Sequence, residues 1–377
     1  MERVKGIEPS FSAWEADVLP LNYTRLEELS LQLPEPVLLQ AAKRGLAAAS
    51  GSPGHLCYRR LDEAARGTKM IVPKNLQRRE FIKLTAATGV ALSTPAYVRA
   101  EAGRMDRRRI PGTDEDIPVI GLGTSHEFDR IPEGGDEELK AVLTTLVEQG
   151  GTLIDTAPRY GDAERILGGF LADLELTDKV FISSKVGTRG REAGLRSLEQ
   201  SRDLLGKRPL DLMMVHSLTD AETQLANLRQ WKDEGHVRYI GITTSEESGF
   251  AEMESLLKAH DLDFIQVNYS PLEPEAAERV IPAAAERGTA VMINRAFGNG
   301  EYFGELRGQQ LPSWAADFDC ESWAQFSLKY ILGNPDVTCV LAATSNSRHM
   351  KDNAAAGTGR LPDAAARRRI EQFLQDL

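Results

Sequence analysis

The chain has 377 residues, too many for one small domain but suited to a large α/β barrel with appendages. Hydrophobic residues make up 41% and charged residues 27%, the balance of an ordinary soluble enzyme. The charge is uneven: residues 1–109 carry 18 Lys/Arg against 12 Asp/Glu, net +6, and residues 110–377 carry 27 against 44, net −17. So acidic a body argues against nucleic acid, because phosphate binding needs clustered cations, and against an anionic membrane surface. The three cysteines, Cys57, Cys320 and Cys339, fit neither a zinc pattern nor a disulfide scaffold, so no metal site is expected. No apolar run reaches the roughly 18–20 residues of a membrane span.

Residues 1–69 show no sustained periodicity and are rich in turn and low-complexity fragments, which predicts a disordered extension. They also loosely resemble a stretch created when a gene start is placed too far upstream, and Met70 offers an alternative start. Residues 70–102 have a signal-like order: basic Gln77-Arg78-Arg79-Glu80-Phe81-Ile82-Lys83, a mildly apolar stretch over 84–98, then Ala100-Glu101-Ala102 at cleavage-like spacing. The twin arginine resembles a twin-arginine export signal, which implies the twin-arginine export machinery as a partner and a periplasmic destination. If the match is fortuitous, the protein stays in the cytoplasm.

From 105 to 377 the pattern changes. Residues 107–119 suggest a small hairpin able to plug the bottom of a barrel. Short apolar runs follow at 119–121, 152–154, 180–184, 212–215, 239–242, 264–267, 290–293 and 338–341. Helical periodicity separates and follows them at 137–148, 163–174, 192–206, 221–234, 250–259, 274–287, 321–332 and 347–355, and a last helix is expected over 363–377. Eight β runs, each followed by a helix, predict a (β/α)8 TIM barrel, and their near-continuous apolar character suits strands buried on both faces. Gly121-Leu122-Gly123 lacks the third glycine of a dinucleotide-binding fingerprint, so an open Rossmann sheet is disfavoured.

In such a barrel the carboxyl ends of the strands line the active site. Asp155 ends the second run with Tyr160 just beyond, Lys185 ends the third, and His216 ends the fourth. Each alone is more often structural: a capping acid, a packing tyrosine, a rim lysine, a strand-end histidine. Together at three adjacent strand tops they suit carbonyl reduction, which needs a proton delivered to oxygen. A phenol with a pKa of about 10 is a poor acid–base group at neutral pH, and a nearby ammonium is expected to lower that value. Asp155 can hold Lys185, and His216 can donate a hydrogen bond to the carbonyl.

The stretches Gly121-Leu122-Gly123-Thr124, Asp155-Thr156-Ala157 with Tyr160-Gly161, Ser184-Lys185, Asp211-Leu212 with His216, and Gln266-Val267-Asn268-Tyr269 resemble those of the aldo-keto reductases over residues 108–357. That resemblance implies an NAD(P)-dependent reduction of an aldehyde or ketone, or its reverse, with NADP favoured and NAD possible. It implies cofactor contacts from Gly123, Thr124, Thr243, Thr244 and Gln266, and from Asn294 and Arg295 where the family often carries an aromatic that stacks on the nicotinamide. Thr244 stands where the family usually has asparagine. Because Asn294 stands where the stacking aromatic would be, stacking is expected from Arg295 or Phe297 instead. At the adenosine end the implied contacts are Thr344, Ser345, Arg348, Asp352 and Asn353. The long loops 125–136 and 297–318 are expected to shape a pocket for a small carbonyl substrate, with His126, Phe128, Trp314 and Phe318 as candidates; Trp231 and Trp323 read as packing residues. The alternative is a catalytically weakened barrel kept as a nucleotide-binding or accessory protein.

Overall fold

The computed structural model describes residues 105–377; the extension 1–69, the segment 70–102 and Cys57 lie outside the described residues. Two short strands, β1 (Arg107–Arg109) and β2 (Asp116–Pro118), form an antiparallel hairpin. Eight parallel strands then close into a barrel: β3 (Ile120–Gly123), β4 (Leu153–Asp155), β5 (Phe181–Val186), β6 (Leu210–Val215), β7 (Val237–Thr243), β8 (Phe264–Asn268), β9 (Ala290–Asn294) and β10 (Cys339–Ala343), with β10 pairing back onto β3. The expected (β/α)8 architecture is therefore the observed one.

The strands carry two apolar rows because successive side chains point to opposite faces. One row packs inside the barrel: Leu153, Phe181, Leu212, Met214, Phe264, Ala290, Met292, Cys339 and Leu341 form a cluster with Ile110 and Ile117 of the hairpin. Both hairpin isoleucines are at most 1% exposed, so the hairpin closes the barrel floor. Glu115 ties it to β7, accepting from Tyr239 Oη at 2.7 Å and pairing with Arg238. The other row, including Ile120, Ile154, Ile182 and Ile242, packs against the surrounding helices.

The helices are α1 (Asp136–Glu148), α2 (Ala163–Asp173), α3 (Arg191–Leu205), α4 (Ala221–Asp233), α5 (Phe250–Ala259), α6 (Val280–Glu286), α7 (Glu301–Glu305), α8 (Trp323–Leu332), α9 (Ser347–Ala355) and α10 (Ala364–Gln375). α1 buries Leu139, Val142, Leu143 and Leu146 at helical spacing. The helix expected over 274–287 is divided: a 3-10 turn covers Glu275–Glu278, and α6 begins only at Val280. Pro282 explains the break, since a residue without an N–H is tolerated in a first turn but not in a helix interior. β5 runs past its expected limit through the buried Lys185 and Val186, and β7 begins two residues earlier, at Val237, and ends one later, at Thr243. Lys185 accordingly lies within β5 rather than at its tip. Among the described residues no helix is long and apolar enough to cross a membrane.

Candidate active site

The inner rows change character near the carboxyl ends of the strands. Two residues beyond Leu153 on β4 comes Asp155; two and four beyond Phe181 on β5 come Ser183 and Lys185; two beyond Phe264 on β8 comes Gln266; two beyond Met292 on β9 comes Asn294. The same period of two that fills the barrel floor thus floors the site with polar groups.

Asp155 is the hub. Its Oδ2 accepts from Lys185 Nζ at 2.6 Å, and its Oδ1 accepts from Ser183 Oγ at 2.8 Å and Gln266 Nε2 at 3.0 Å. Lys185 is completely buried and also donates to the Thr156 carbonyl at 2.9 Å. The β4 end is laced to its neighbours: the Thr124 amide and hydroxyl both reach the Asp155 carbonyl at 3.0 Å, and the Thr156 amide donates to the Ser183 carbonyl at 2.9 Å. Ser183 is a member of the site that the motifs do not mark, although its position two before Lys185 places both on one strand face.

Tyr160 follows β4 on a turn closed by its own amide donating to the Ala157 carbonyl at 3.0 Å. Gly161 comes next with φ +56°, and a Cβ there would stand 2.7 Å from the Asp129 carbonyl oxygen, so only glycine fits the turn that presents the tyrosine. The Tyr160 ring stands edge-on to His216, centroids 5.7 Å apart, with Lys185 Nζ 5.1 Å from the phenol ring centre. A Cβ on Gly187 would meet His216 Cβ at 3.2 Å and Arg159 Cδ at 3.3 Å; the bare glycine lets both side chains lie close over β5. The four proposed acid–base residues are thereby brought together.

Electrostatics sort their protonation. Burial opposes the charge on Lys185, but Asp155 and Tyr160 outweigh it and hold the ammonium above its usual value. Burial pushes the Tyr160 phenol up; Lys185 pulls it down without cancelling that effect, and Asp155 adds to the rise. The expectation that Lys185 lowers the Tyr160 pKa is corrected here. The lysine does act in that direction, but desolvation of a largely enclosed phenol is stronger. His216 is driven down to about 3 by burial, then by the positive charges of Lys185 and Arg159. At neutral pH the pocket therefore holds a protonated phenol and a neutral imidazole.

The second group continues from Asp155. Gln266 Oε1 accepts from Thr243 Oγ1 at 2.9 Å and Asn294 Nδ2 at 3.4 Å, and Asn294 Nδ2 also donates to the Thr244 carbonyl at 3.1 Å. The Thr244 hydroxyl makes a local turn, donating to the Glu246 carbonyl at 3.3 Å. Buried polar atoms around these strand tops lack a partner among the described residues: His216 Nδ1, Asn268 Oδ1, Asn294 Oδ1 and Glu273 Oε2, with Thr156 Oγ1, Thr188 Oγ1 and Arg295 Nε beside them. Such atoms are costly to leave bare, and they suit a polar ligand laid across the mouth. Asn268 lies inside the Gln266–Tyr269 motif and Glu273 beyond it, and neither is among the expected contacts; the signal for Asn268 is its place as the next inward position after Gln266.

The profile of the aldo/keto reductase family matches residues 119–373. The chain belongs to the aldo/keto reductase family. Among relatives, a D-threo-aldose 1-dehydrogenase from a Pseudomonas species is 29% identical, the match covering 49% of this chain and 67% of that one. An aldo-keto reductase from Gibberella moniliformis is 27% identical over 54% of this chain and 70% of its own. Among solved structures, an aldo-keto reductase from Klebsiella pneumoniae in complex with NADPH aligns with a TM-score of 0.61 at 21% identity, covering 72% of this chain and 95% of that one. At that identity the likeness bears on the barrel fold alone.

The residues that the resemblance implies for the adenosine end lie around the start of α9. Asn346 caps the helix, its Oδ1 accepting from the amides of Arg348 at 2.9 Å and His349 at 3.4 Å. The Ser347 amide donates to Glu138 Oε1 of α1 at 2.7 Å. The first amides of α9, which suit an anion, are thus met from within the protein. Thr344 Oγ1 accepts from the Asn346 amide at 3.1 Å; Ser345 is half-buried and Arg348 exposed. Asp352 turns away from the helix start, accepting from Ser322 Oγ and Gln325 Nε2, both at 2.6 Å, and Asn353 is buried. Sequence alone does not single out Glu138 and Asn346, because an acid in a first helical turn and an asparagine before a helix look like ordinary caps.

Around the mouth of the reductase barrel, Arg295 has φ 52°, donates to the Ser245 carbonyl at 3.1 Å and pairs with Glu273 at 3.4 Å. Phe297 packs against Phe303 and Tyr302, with centroids 5.0 and 6.3 Å away. Phe128 is fully buried in the outer core, and Trp314 packs on Phe326 and on Phe373 of α10. The expectation that Phe128 and Trp314 line the pocket is therefore replaced by packing roles. His126 adopts φ 65° in the loop after β3, and Phe318 lies against Trp314. Trp231 is a buried residue of α4, and Trp323 stacks on Phe373, in line with packing roles.

Proposed function

We propose that the protein reduces an aldehyde or ketone with NADPH, and that Tyr160 delivers the proton. The observation that carries this reading is a buried Lys185–Asp155 pair set beneath a phenol that burial keeps protonated. When bound, the nicotinamide cofactor supplies the hydride. Tyr160 supplies the proton to the carbonyl oxygen from its own Oη. Lys185 stabilises the phenolate that remains, and Asp155 keeps the ammonium in place. His216, neutral, offers an N–H to the same oxygen and orients it. Thr243, Gln266 and Asn294 form the polar cradle beside this group, and the unpartnered atoms there fit a nicotinamide. The acidic α1 residue at the start of α9 fits a 2′-phosphate less well. NADPH is nevertheless preferred over NADH in this reading, in keeping with the Klebsiella relative and with Arg348 and Lys351 close to that helix start.

The test is NADPH oxidation by the purified protein over a panel of aldehydes and ketones. Tyr160→Phe should lower kcat by about 10²–10⁴-fold while NADPH binding persists, the usual worth of one general acid. Turnover unchanged in Tyr160→Phe would refute the assignment. NADPH binding with no turnover of any carbonyl would instead mark a nucleotide-binding barrel, the reading that the departures from the family pattern at Thr244 and Asn294 favour.

We further propose that residues 70–102 direct export through the twin-arginine machinery to the periplasm. Arg78 and Arg79, the apolar 84–98 stretch and Ala100-Glu101-Ala102 support this. A reporter fused to residues 70–102 should reach the periplasm and be held in the cytoplasm by Arg78→Lys with Arg79→Lys; equal export of both would overturn the signal.

A further inference from the structure

The polar cradle that the family resemblance implies for the nicotinamide carboxamide is short of one side-chain amide in this chain. Thr244 stands where the family resemblance implies asparagine, and its hydroxyl is engaged in a local turn. Asn294, at the end of β9 two strands on from Thr244, lies where that resemblance implies an aromatic ring. Its side chain reaches toward the gap, with Nδ2 donating to the Thr244 carbonyl at 3.1 Å and to Gln266 Oε1 at 3.4 Å. Its Oδ1 is buried and has no partner among the described residues.

The direction of that amide is set by its surroundings. Asp155 Oδ1, which also receives Ser183 Oγ, is an acceptor and draws Gln266 Nε2 toward it at 3.0 Å. Gln266 must then present Oε1 on its other side, to Thr243 Oγ1 and Asn294. Turning Asn294 over would set its oxygen against two acceptors at once, the Thr244 carbonyl and Gln266 Oε1. A relay from Asp155 through Gln266 therefore leaves Asn294 with its donor satisfied and its acceptor bare, at the strand tops beside Thr243 and Gln266. That oxygen is open to a donor from outside the strands.

We infer that Asn294 Oδ1 accepts a hydrogen bond from the carboxamide N–H of the nicotinamide cofactor, serving in place of the side-chain amide that Thr244 does not have. Asn294 is thus a cofactor-binding residue acting through the carboxamide rather than by stacking on the ring, and Asp155 positions it in addition to holding Lys185. This rests on the NAD(P)H reading above. It also connects the two halves of the site, because the carboxylate that holds the ammonium orients the amide that reads the cofactor.

The experiment is equilibrium binding to the full chain, followed by quenching of tryptophan fluorescence, with NADP⁺ and with 3-acetylpyridine adenine dinucleotide phosphate. The analogue has a methyl in place of the carboxamide NH₂ and so has no donor to offer. Wild type should bind NADP⁺ about 10-fold more tightly than the analogue, the worth of about 1.4 kcal/mol and of one buried hydrogen bond. Asn294→Ala should bind the two nucleotides nearly equally, which supports the contact. A preference kept in Asn294→Ala overturns it, as does a wild type that binds both nucleotides alike. A wild type that binds neither nucleotide overturns the cofactor reading itself, and this inference with it. The near-isosteric Asn294→Leu gives the same comparison if the alanine variant misfolds, and far-ultraviolet circular dichroism checks that.

Discussion

Lys185 Nζ lies 2.6 Å from Asp155 Oδ2, with the lysine side chain fully buried and the aspartate 5% exposed. Removing one member of such a pair leaves the other charge in a low-dielectric interior, which typically costs about 3–5 kcal/mol. Lys185→Met should therefore lower the urea midpoint strongly. Lys185→Met with Asp155→Asn should recover part of that stability, because no isolated charge remains. Urea unfolding of both variants checks this; a double variant no more stable than Lys185→Met would show that the pair's charge is not what matters.

His216 makes the protein acid-sensitive in a defined window. Its folded-state pKa is about 3, against 6.5 for the ordinary imidazole, because burial and then Lys185 and Arg159 disfavour the cation. Between these values the unfolded chain binds a proton that the folded protein does not, so stability falls as pH drops from 6.5 toward 3. Above 6.5 the imidazole is neutral in both states and the effect vanishes. His216→Gln cannot be protonated. Its urea midpoint should change less between pH 7 and pH 4 than that of wild type, and an identical pH slope would contradict the prediction.

Glu138 caps the amide of Ser347 at 2.7 Å, and that hydrogen bond holds its carboxyl below the usual range. On the NADPH reading, a 2′-phosphate at the start of α9 would meet this negative charge. Glu138→Gln should raise NADPH affinity about 2–5-fold at low salt, the worth of one charge at a helix end, and the gain should shrink as salt rises. Titrating wild type and variant with NADPH and NADH checks it: the gain belongs to NADPH, and an equal gain for NADH would place the phosphate elsewhere.

Ile117 of the hairpin is 1% exposed beneath the barrel interior. Ile117→Ala should destabilise by about 2–5 kcal/mol, through the apolar burial removed and the cavity left behind. Because the hairpin closes the floor and the site opens at the other end, kcat at a permissive temperature should hold. Thermal melts alongside steady-state kinetics separate the two effects.

How much of the molecule is legible in its sequence differs by element. The alternation of apolar runs with helical periodicity determines the barrel on its own, since a run buried on both faces followed by an amphipathic helix packs well in few other ways. The residue types at the ends of β4, β5 and β6 likewise make Asp155, Tyr160, Lys185 and His216 readable as one group. Strand ends are not readable, because inside a barrel Lys185 continues the strand where a surface lysine would end it. Pro282 accounts for the division before α6, but the helical periodicity over 274–287 runs across it and hides the break.

Protonation and orientation are decided only in three dimensions. Whether Tyr160 holds its proton depends on burial competing with Lys185 across 5.1 Å, and no spacing in the chain encodes which is larger. The direction of the Asn294 amide depends on Gln266 and, through it, on Asp155, residues 111 positions apart in sequence that closure of the barrel places 3.0 Å from each other. Glu138 reaches Ser347 across 209 positions because β10 pairs with β3 and brings α9 against α1. Local pattern sets which side chains face inward, for that needs only a period of two. What those side chains do to one another follows from distances that exist only once the first and last strands have met.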